Sequence, residues 1–426
     1  MPASERLSQT ERVGVAALDV WAFALPAASF VQITFVGQLS VSEILAVLML
    51  PWLWGARDRL RVPRWFVLFW GAWFLAQIVT DIVVGSAFVD YARGWANILF
   101  TLTNFIAILT LVSTPRRARI FAVGLAASSV LGYLIAPNAY AAGDPWKWAF
   151  AAPIGFVLAA GLSGATGARR PWLAVGVFAV FGAANLLFGF RSLGGVAFLS
   201  AGFLLLSALV GRGSRAWRPS IVRAVVGLIF FTVAALGILQ LYDAAATGGI
   251  LGPRAQAEYL QQSGALGVLV GGRSEVLVST QAILDSPLLG HGSWAKDFKY
   301  VDLLAQRLSD LGYQTGAGPG DVGVIPAHSY LLGSWVQAGL MGGAFWLVVL
   351  VLALWLLTNL PAVRLGLSPL LVFSTTLLIW NILFSPYAGD HRWLGPYGVA
   401  ICLLGLRSLR HGGANAANPG VSVAEP

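Results

Sequence analysis

The sequence predicts an all-α polytopic membrane protein of about 12 transmembrane helices with one large loop between the ninth and tenth. Three observations predict it. The 426 residues are 58% hydrophobic and 11% charged, with a mean hydropathy of +0.76, more apolar surface than a water-soluble fold can hide. Mostly apolar windows of roughly 17 residues or more recur along the chain, about the length a helix needs to cross a bilayer. The breaks between them alternate between arginine-dense and arginine-poor, as expected when basic loops stay in the cytoplasm.

In order, the expected spans are residues 15–35, 41–54, 65–84, 98–112, 120–137 and 148–162, then 172–188, 193–210 and 221–242, and finally 330–357, 367–384 and 393–406. The second and sixth are short, which calls for tilt or an interfacial position. The chain divides accordingly into membrane helices at 1–242, a loop at 243–327, further membrane helices at 328–410 and a tail of disordered composition at 411–426. A cytoplasmic N-terminus places "RDRLR", "PRRAR", Arg169 with Arg170, and "GRGSRAWR" on the inside. That side then receives two thirds of the 27 lysines and arginines. Both termini are thus expected in the cytoplasm and the long loop outside.

Within the loop, "GGRSEVLVSTQAILDSPLLGHGSW" carries a short amphipathic helix signal. Ser274 is the candidate N-cap, residues 276, 277, 283 and 284 are the apolar side, and Pro287 is the stop. "LGYQTGAGPGDVGVIPAH" is rich in Gly and Pro and reads as irregular chain. No cleavable signal pattern is expected before the first span, where Glu5 and Glu11 lie. The lone Cys402 has no partner for an intramolecular disulfide. The net charge of +9 is explained by topology, and no basic patch interleaved with aromatics points to nucleic acid.

A few outer-face polar residues remain. Arg191, in "LLFGFRSLGG", occupies a tight turn between apolar runs, where a charge either snorkels to the interface or faces a cavity and binds an anion. Arg273 follows Gly271 and Gly272 and precedes the loop helix, so its fork and the free N–H groups of the helix start suit phosphate oxygens. The plain alternative is a solvated loop arginine. Arg254, Lys296, Lys299 and Arg307 read as solvated or as facing anionic lipid. His328 stands where the polar loop meets the tenth span; it is either a helix-start histidine or a general base, kept neutral by nearby arginines. "SPYAGDHRWLG" brings Asp390, His391 and Arg392 together, as a local salt-bridge network or as a seat for a charged substrate. No His-x-x-Glu-His pattern or clustered ligand set points to a metal.

Two stretches carry a family resemblance. "HSYLLGSWVQAGLMG" resembles the O-antigen ligase motif of a His, then Asn, Ser or Gln, nine residues, Gly, two residues and a small residue, matched here by His328, Ser329, Gly339 and Gly342. "GGRSEV" and "SPLLGHG" are similar to the stretch upstream of it in the wider O-antigen ligase and polymerase superfamily, through Arg273, Pro287, Gly290 and Gly292. Arg191 resembles the family's arginine at the outer end of an earlier span, with Phe190 in place of the usual Ser. The likeness spans roughly residues 187–347; earlier spans share only hydropathy.

The resemblance implies a glycosyltransferase of the bacterial inner membrane that works at its periplasmic face without a cofactor or metal. It would transfer a glycan from undecaprenyl pyrophosphate to the lipid A core oligosaccharide, with inversion at the anomeric carbon. Arg191 and Arg273 would hold the pyrophosphate and His328 would take the acceptor proton. Ser329, Asp390, His391 and Arg392 are candidates for positioning substrate. A polymerase, which joins carrier-linked repeat units, is the alternative within the superfamily. A transporter should show two similar halves with paired broken helices, and no internal repeat is present; a scaffold needs no concentrated Arg and His set.

Overall fold

The structure is a computed structural model and describes residues 9–55, 64–164, 171–211, 220–250, 252–262, 273–312, 323–363, 366–387, 389 and 391–417. Apart from an antiparallel pair of three-residue strands, β1 (Gln32–Thr34) and β2 (Gln38–Ser40), its regular elements are helical.

Apolar windows and spanning helices are different quantities, and the count of about twelve spans is corrected here. Among the described residues, five helices are long and apolar enough to cross a membrane: Arg64–Val84, Phe88–Leu111, Pro115–Ile135, Arg191–Val210 and Tyr330–Thr358. Six further apolar helices have 10–17 residues. The window at 15–35 shows why: helix α1 (Gln9–Ala27) stops, and the remainder goes into a 3-10 turn and β1. The window at 41–54 becomes α2 (Val41–Gly55), only 15 residues long and holding Pro51. The window at 148–162 lies in the helix Trp146–Leu162, which opens with a π-helical turn at Trp146–Phe150 and falls among the shorter apolar helices. Five helices of spanning length and composition are those of a multi-pass membrane protein.

The spanning helices are α3 (Arg64–Val84), α4 (Phe88–Leu111), α5 (Pro115–Ile135), α9 (Arg191–Gly211) and α14 (Tyr330–Thr358). Between them in the chain lie α6 (Ala139–Gly143), α7 (Ala151–Leu162), α8 (Pro171–Leu187), α10 (Ile221–Thr247), α11 (Pro253–Gln262), α12 (Val276–Asp285) and α13 (Phe298–Asp310). After them come α15 (Ser368–Phe384) and α16 (His391–Ala417). Local chemistry sets several starts. Thr114 caps α5 by accepting from the Arg117 N–H, with Pro115 at the first position. Asp297 caps α13 and Ser329 caps α14 in the same way.

The core is aromatic. Phe66, Trp70 and Trp73 of α3 meet Phe105 of α4 and Phe345 of α14, with ring centroids 4.8–5.7 Å apart, inside the range where edge and offset contacts stabilise. The chain of rings continues through Trp346 to Tyr330 and Tyr387. It therefore joins the packed core to the first turn of α14.

The helices share two ends. At one, Arg119 donates to Ser163 O, Gly164 N–H to Gly366 O, and Arg116 and Arg117 pair with Asp19. At the other, Arg93 donates to Val36 O, Asn97 to Tyr387 O, and Ser329 Oγ to Ile382 O. Residues 273–312 and 323–327 pack at this second end. Among them, Val278, Ala282, Tyr300 and Ile325 form a small core with Val336 of α14. Asp285 binds α12 to α13 through Lys299 (2.8 Å) and Tyr300 (2.6 Å). These partners hold its carboxyl well below the usual range.

Two readings of this segment change. The helix start at α12 has Glu275 as its cap position with no side-chain cap, so Ser274 is not the N-cap; the turn closes through backbone bonds to Arg273 O and Ser274 O. The buried face is Val278, Ser279 and Ala282, whereas Val276 and Leu284 are exposed. Helix α13 was absent from the sequence reading altogether. Of the Gly and Pro rich stretch, residues 313–322 lie outside the described residues, and 323–327 are irregular as expected apart from a single bridge, Val324 to Lys296.

Candidate active site

Helix α14 is broken, and the break builds the site. Ala338 (φ −117, ψ 16) and Gly339 (φ 60, ψ −150) leave helical geometry; the latter is a region that glycine alone enters freely. The freed backbone groups are taken up by a re-entrant stretch, Leu288 to Ser293. His291 N–H donates to Val336 O (2.7 Å), Gly292 N–H to Gln337 O (3.1 Å), and Leu340 N–H to Leu288 O (3.2 Å). Unsatisfied backbone is not tolerated at membrane depth, so such a break persists only when another segment pairs with it.

Backbone meets backbone there without side chains between. A Cβ on Gly339 would lie 2.0 Å from Leu288 O, and one on Gly290 would lie 2.5 Å from Gly339 N. Gly342 rests on Ser334 O in the same way. The span expected at 330–357 is therefore interrupted, at the motif glycines Gly339 and Gly342. They serve the break itself.

The re-entrant stretch is pinned to α3. Thr80 Oγ donates to Leu289 O (2.6 Å), and the carboxylate of buried Asp81 accepts from Ser293 N–H (2.6 Å), Ser293 Oγ (2.7 Å), Ser86 Oγ (2.7 Å), Trp95 Nε1 (2.8 Å) and Gln77 Nε2 (3.2 Å). A buried carboxylate is stable when donors surround it in this way. The sequence reading missed Asp81; its signal was an acid inside an apolar run.

Above the break, His328 immediately precedes the Ser329 cap. Its Nδ1 lies 3.9 Å from Oε1 of Glu275, and both side chains are half-buried. Burial lowers the His328 pKa, Glu275 raises it, and Arg273 lowers it again. Arg273 is lowered by burial, with Glu275 opposing and Arg191 adding to the depression. Arg191, Arg273, Glu275 and His328 therefore share one electrostatic site, although they come from the first residue of α9, the turn before α12 and the start of α14. The guanidinium of Arg191 sits over the ring of Tyr242 from α10, 5.5 Å from its centroid. Glu275 is the member that sequence reasoning missed, although it stands two places from Arg273 in the quoted stretch. Gly271 and Gly272 lie outside the described residues.

The remaining candidates divide. Ser329 Oγ accepts from Leu332 N–H (3.1 Å) and donates to Ile382 O (2.7 Å), so it caps α14 and ties it to α15. His391 shares a short hydrogen bond with Tyr330 through Nδ1. Burial and the neighbouring His328 push its imidazole down to about 4, which makes it a neutral neighbour of the site. Arg392 does not join a local network with His391. It pairs with Glu43, which is 1% exposed, at 2.7 Å, and donates to Gln38 O, locking α16 to α2 and β2. Asp390 lies outside the described residues.

No family model and no curated protein matches the chain.

Proposed function

We propose that this protein is a glycosyltransferase that moves a glycan from undecaprenyl pyrophosphate to the lipid A core oligosaccharide, as the resemblance to O-antigen ligases implies. The observation that carries the reading is that His328 lies 3.9 Å from Glu275, two residues from Arg273, beside the start of α14, with Arg191 near enough to act on Arg273. Arg116, Arg117 and Arg119, at the opposite end of the helices, support placing that site at the periplasmic face of the inner membrane, with Gln9 and Ala417 toward the cytoplasm.

In this reading Arg191 and Arg273 hold the donor's pyrophosphate. Negative charge grows on it as the bond between the anomeric carbon and the phosphate oxygen breaks, so fixed guanidinium groups stabilise the transition state more than the ground state. His328 takes the proton of the acceptor hydroxyl as its oxygen bonds to the anomeric carbon from the opposite side. The carrier pyrophosphate leaves with the electron pair, and the configuration inverts. Burial and Arg273 favour the neutral imidazole that this role requires.

The test is reconstitution of the purified full chain in lipid with a labelled carrier-linked glycan and, separately, lipid A core or a second carrier-linked unit. Labelled glycan on the lipid A core supports the proposal. Extension of the carrier-linked unit alone makes the protein a polymerase, and flux with no new covalent product makes it a transporter.

A further inference from the structure

The turn before α12 puts an acid where the proposed chemistry assigns a base and a cation. Glu275 Oε1 lies 3.9 Å from the Nδ1 of His328, and Glu275 sits two residues from Arg273, whose charge it also offsets. Two cations without a counter-charge would repel a developing imidazolium; a carboxylate on the Nδ1 side removes that penalty.

We propose that Glu275 is the positioning residue for His328, holding the ring by its Nδ1 edge so that Nε2 faces the acceptor hydroxyl. The inference rests on the reading of His328 as proton acceptor. It also divides the site. The donor's pyrophosphate is repelled by Glu275 and drawn to Arg191 and Arg273, so the leaving group lies on the arginine side and the acceptor on the Glu275 side. Among the described residues, the charged and titratable groups around His328 are Glu275 and Arg273 from the turn before α12, Arg191 acting on Arg273 from the start of α9, and His391 from the start of α16. Of these, Glu275 is the acid, so its removal has a sign that no neighbour imitates.

The experiment compares wild type with Glu275→Gln and Glu275→Asp, using full-length protein purified in detergent and checked for thermal unfolding. The first readout is the pH dependence of His328 modification by diethyl pyrocarbonate, followed by peptide mass spectrometry, which requires no glycan transfer. Glu275→Gln is expected to move the midpoint of modification to lower pH by roughly half a unit or more, and Glu275→Asp to restore part of the shift. The second readout is single-turnover transfer, expected to slow roughly tenfold or more in Glu275→Gln while donor half-saturation stays at or below the wild-type concentration, since the carboxylate no longer repels the pyrophosphate.

An unchanged modification midpoint in Glu275→Gln overturns the pairing. A midpoint shift with a wild-type transfer rate overturns the positioning role, since the pair would then have no part in the chemistry. Wild-type protein that transfers no glycan, combined with a shifted midpoint, removes the proposed function and leaves the pairing intact. If Glu275→Gln does not fold, Glu275→Asp decides: a midpoint below wild type together with slower transfer supports positioning by the carboxylate's reach, and a wild-type value of either readout overturns it.

Discussion

Ser293 gives both its backbone N–H (2.6 Å) and its hydroxyl (2.7 Å) to the carboxylate of Asp81, across 212 positions of sequence. That pair ties the re-entrant stretch to α3 and thereby fixes the partner of the broken helix that starts beside His328. Asp81→Ala strands several buried donors at once. At about 1–3 kcal/mol for each unsatisfied group, the variant should lose at least about 3 kcal/mol of stability. Thermal unfolding in detergent measures it, and a melting temperature equal to wild type would show that the tether carries no weight.

Gly339 is the next strict requirement. Alanine there has to enter a backbone region costing about 1–3 kcal/mol and place a Cβ 2.0 Å from Leu288 O. Gly339→Ala should reduce the amount of folded protein sharply. Gly71→Ala in α3, where an added Cβ meets nothing within 4 Å, should be neutral. Equal recovery of the two variants by size-exclusion chromatography would contradict the account of the break.

The Glu43 and Arg392 pair makes a different demand. Arg392→Ala leaves a carboxylate that is 1% exposed without its cation, and breaking a buried pair on one side costs about 3–5 kcal/mol. Replacing both with Met and Leu should recover much of the loss, because the site then buries no charge. Unfolding of the single and double variants checks this, and a double variant as unstable as Arg392→Ala would refute it.

How legible was this in the sequence? The membrane character could be read from hydropathy, and Arg191, Arg273 and His328 were candidates from charge placement and motif spacing; the structure sets Arg273 and His328 around Glu275. The break at Gly339 could not, because an apolar run looks the same whether its backbone is continuous or pairs with a distant stretch. The span count failed for a related reason: hydropathy at 15–35 and 41–54 does not reveal that the chain turns into β1 or ends at 15 helical residues. Arg392 looked like a neighbour of Asp390, yet its partner, Glu43, is supplied by a helix from the other end of the chain. Glu275 was hidden by the arginine two places before it.

The arginines should separate charge from packing. Arg273→Ala should lose most single-turnover transfer while the protein remains folded, and Arg273→Lys should recover it incompletely, because lysine restores the charge without the fork. Arg191→Ala should behave alike. Matched-expression assays in lipid measure both, and wild-type transfer in both alanine variants would remove the pyrophosphate clamp.

The pH dependence follows from the neighbours of His328. Burial and Arg273 lower its pKa, so the neutral base persists below the ordinary histidine value of about 6.5. Transfer should therefore hold as pH falls through about 6.5 and decline only at lower pH. Arg273→Gln removes a lowering influence and should move the modification midpoint of His328 upward, opposite to Glu275→Gln. A shift of the same sign in both variants would contradict the electrostatic picture.

The measurement that tests the central claim most directly is single-turnover glycan transfer, with donor binding measured in parallel, for wild type, His328→Ala and His328→Gln across a pH series. The account predicts transfer by wild type, donor binding retained in both variants, and a loss of ~10²- to 10⁴-fold in His328→Ala. His328→Gln should stay slow at every pH, since an amide holds a hydrogen bond but takes no proton. Transfer by His328→Gln at the wild-type rate throughout the series would show that His328 is no base, and the proposed mechanism would fall.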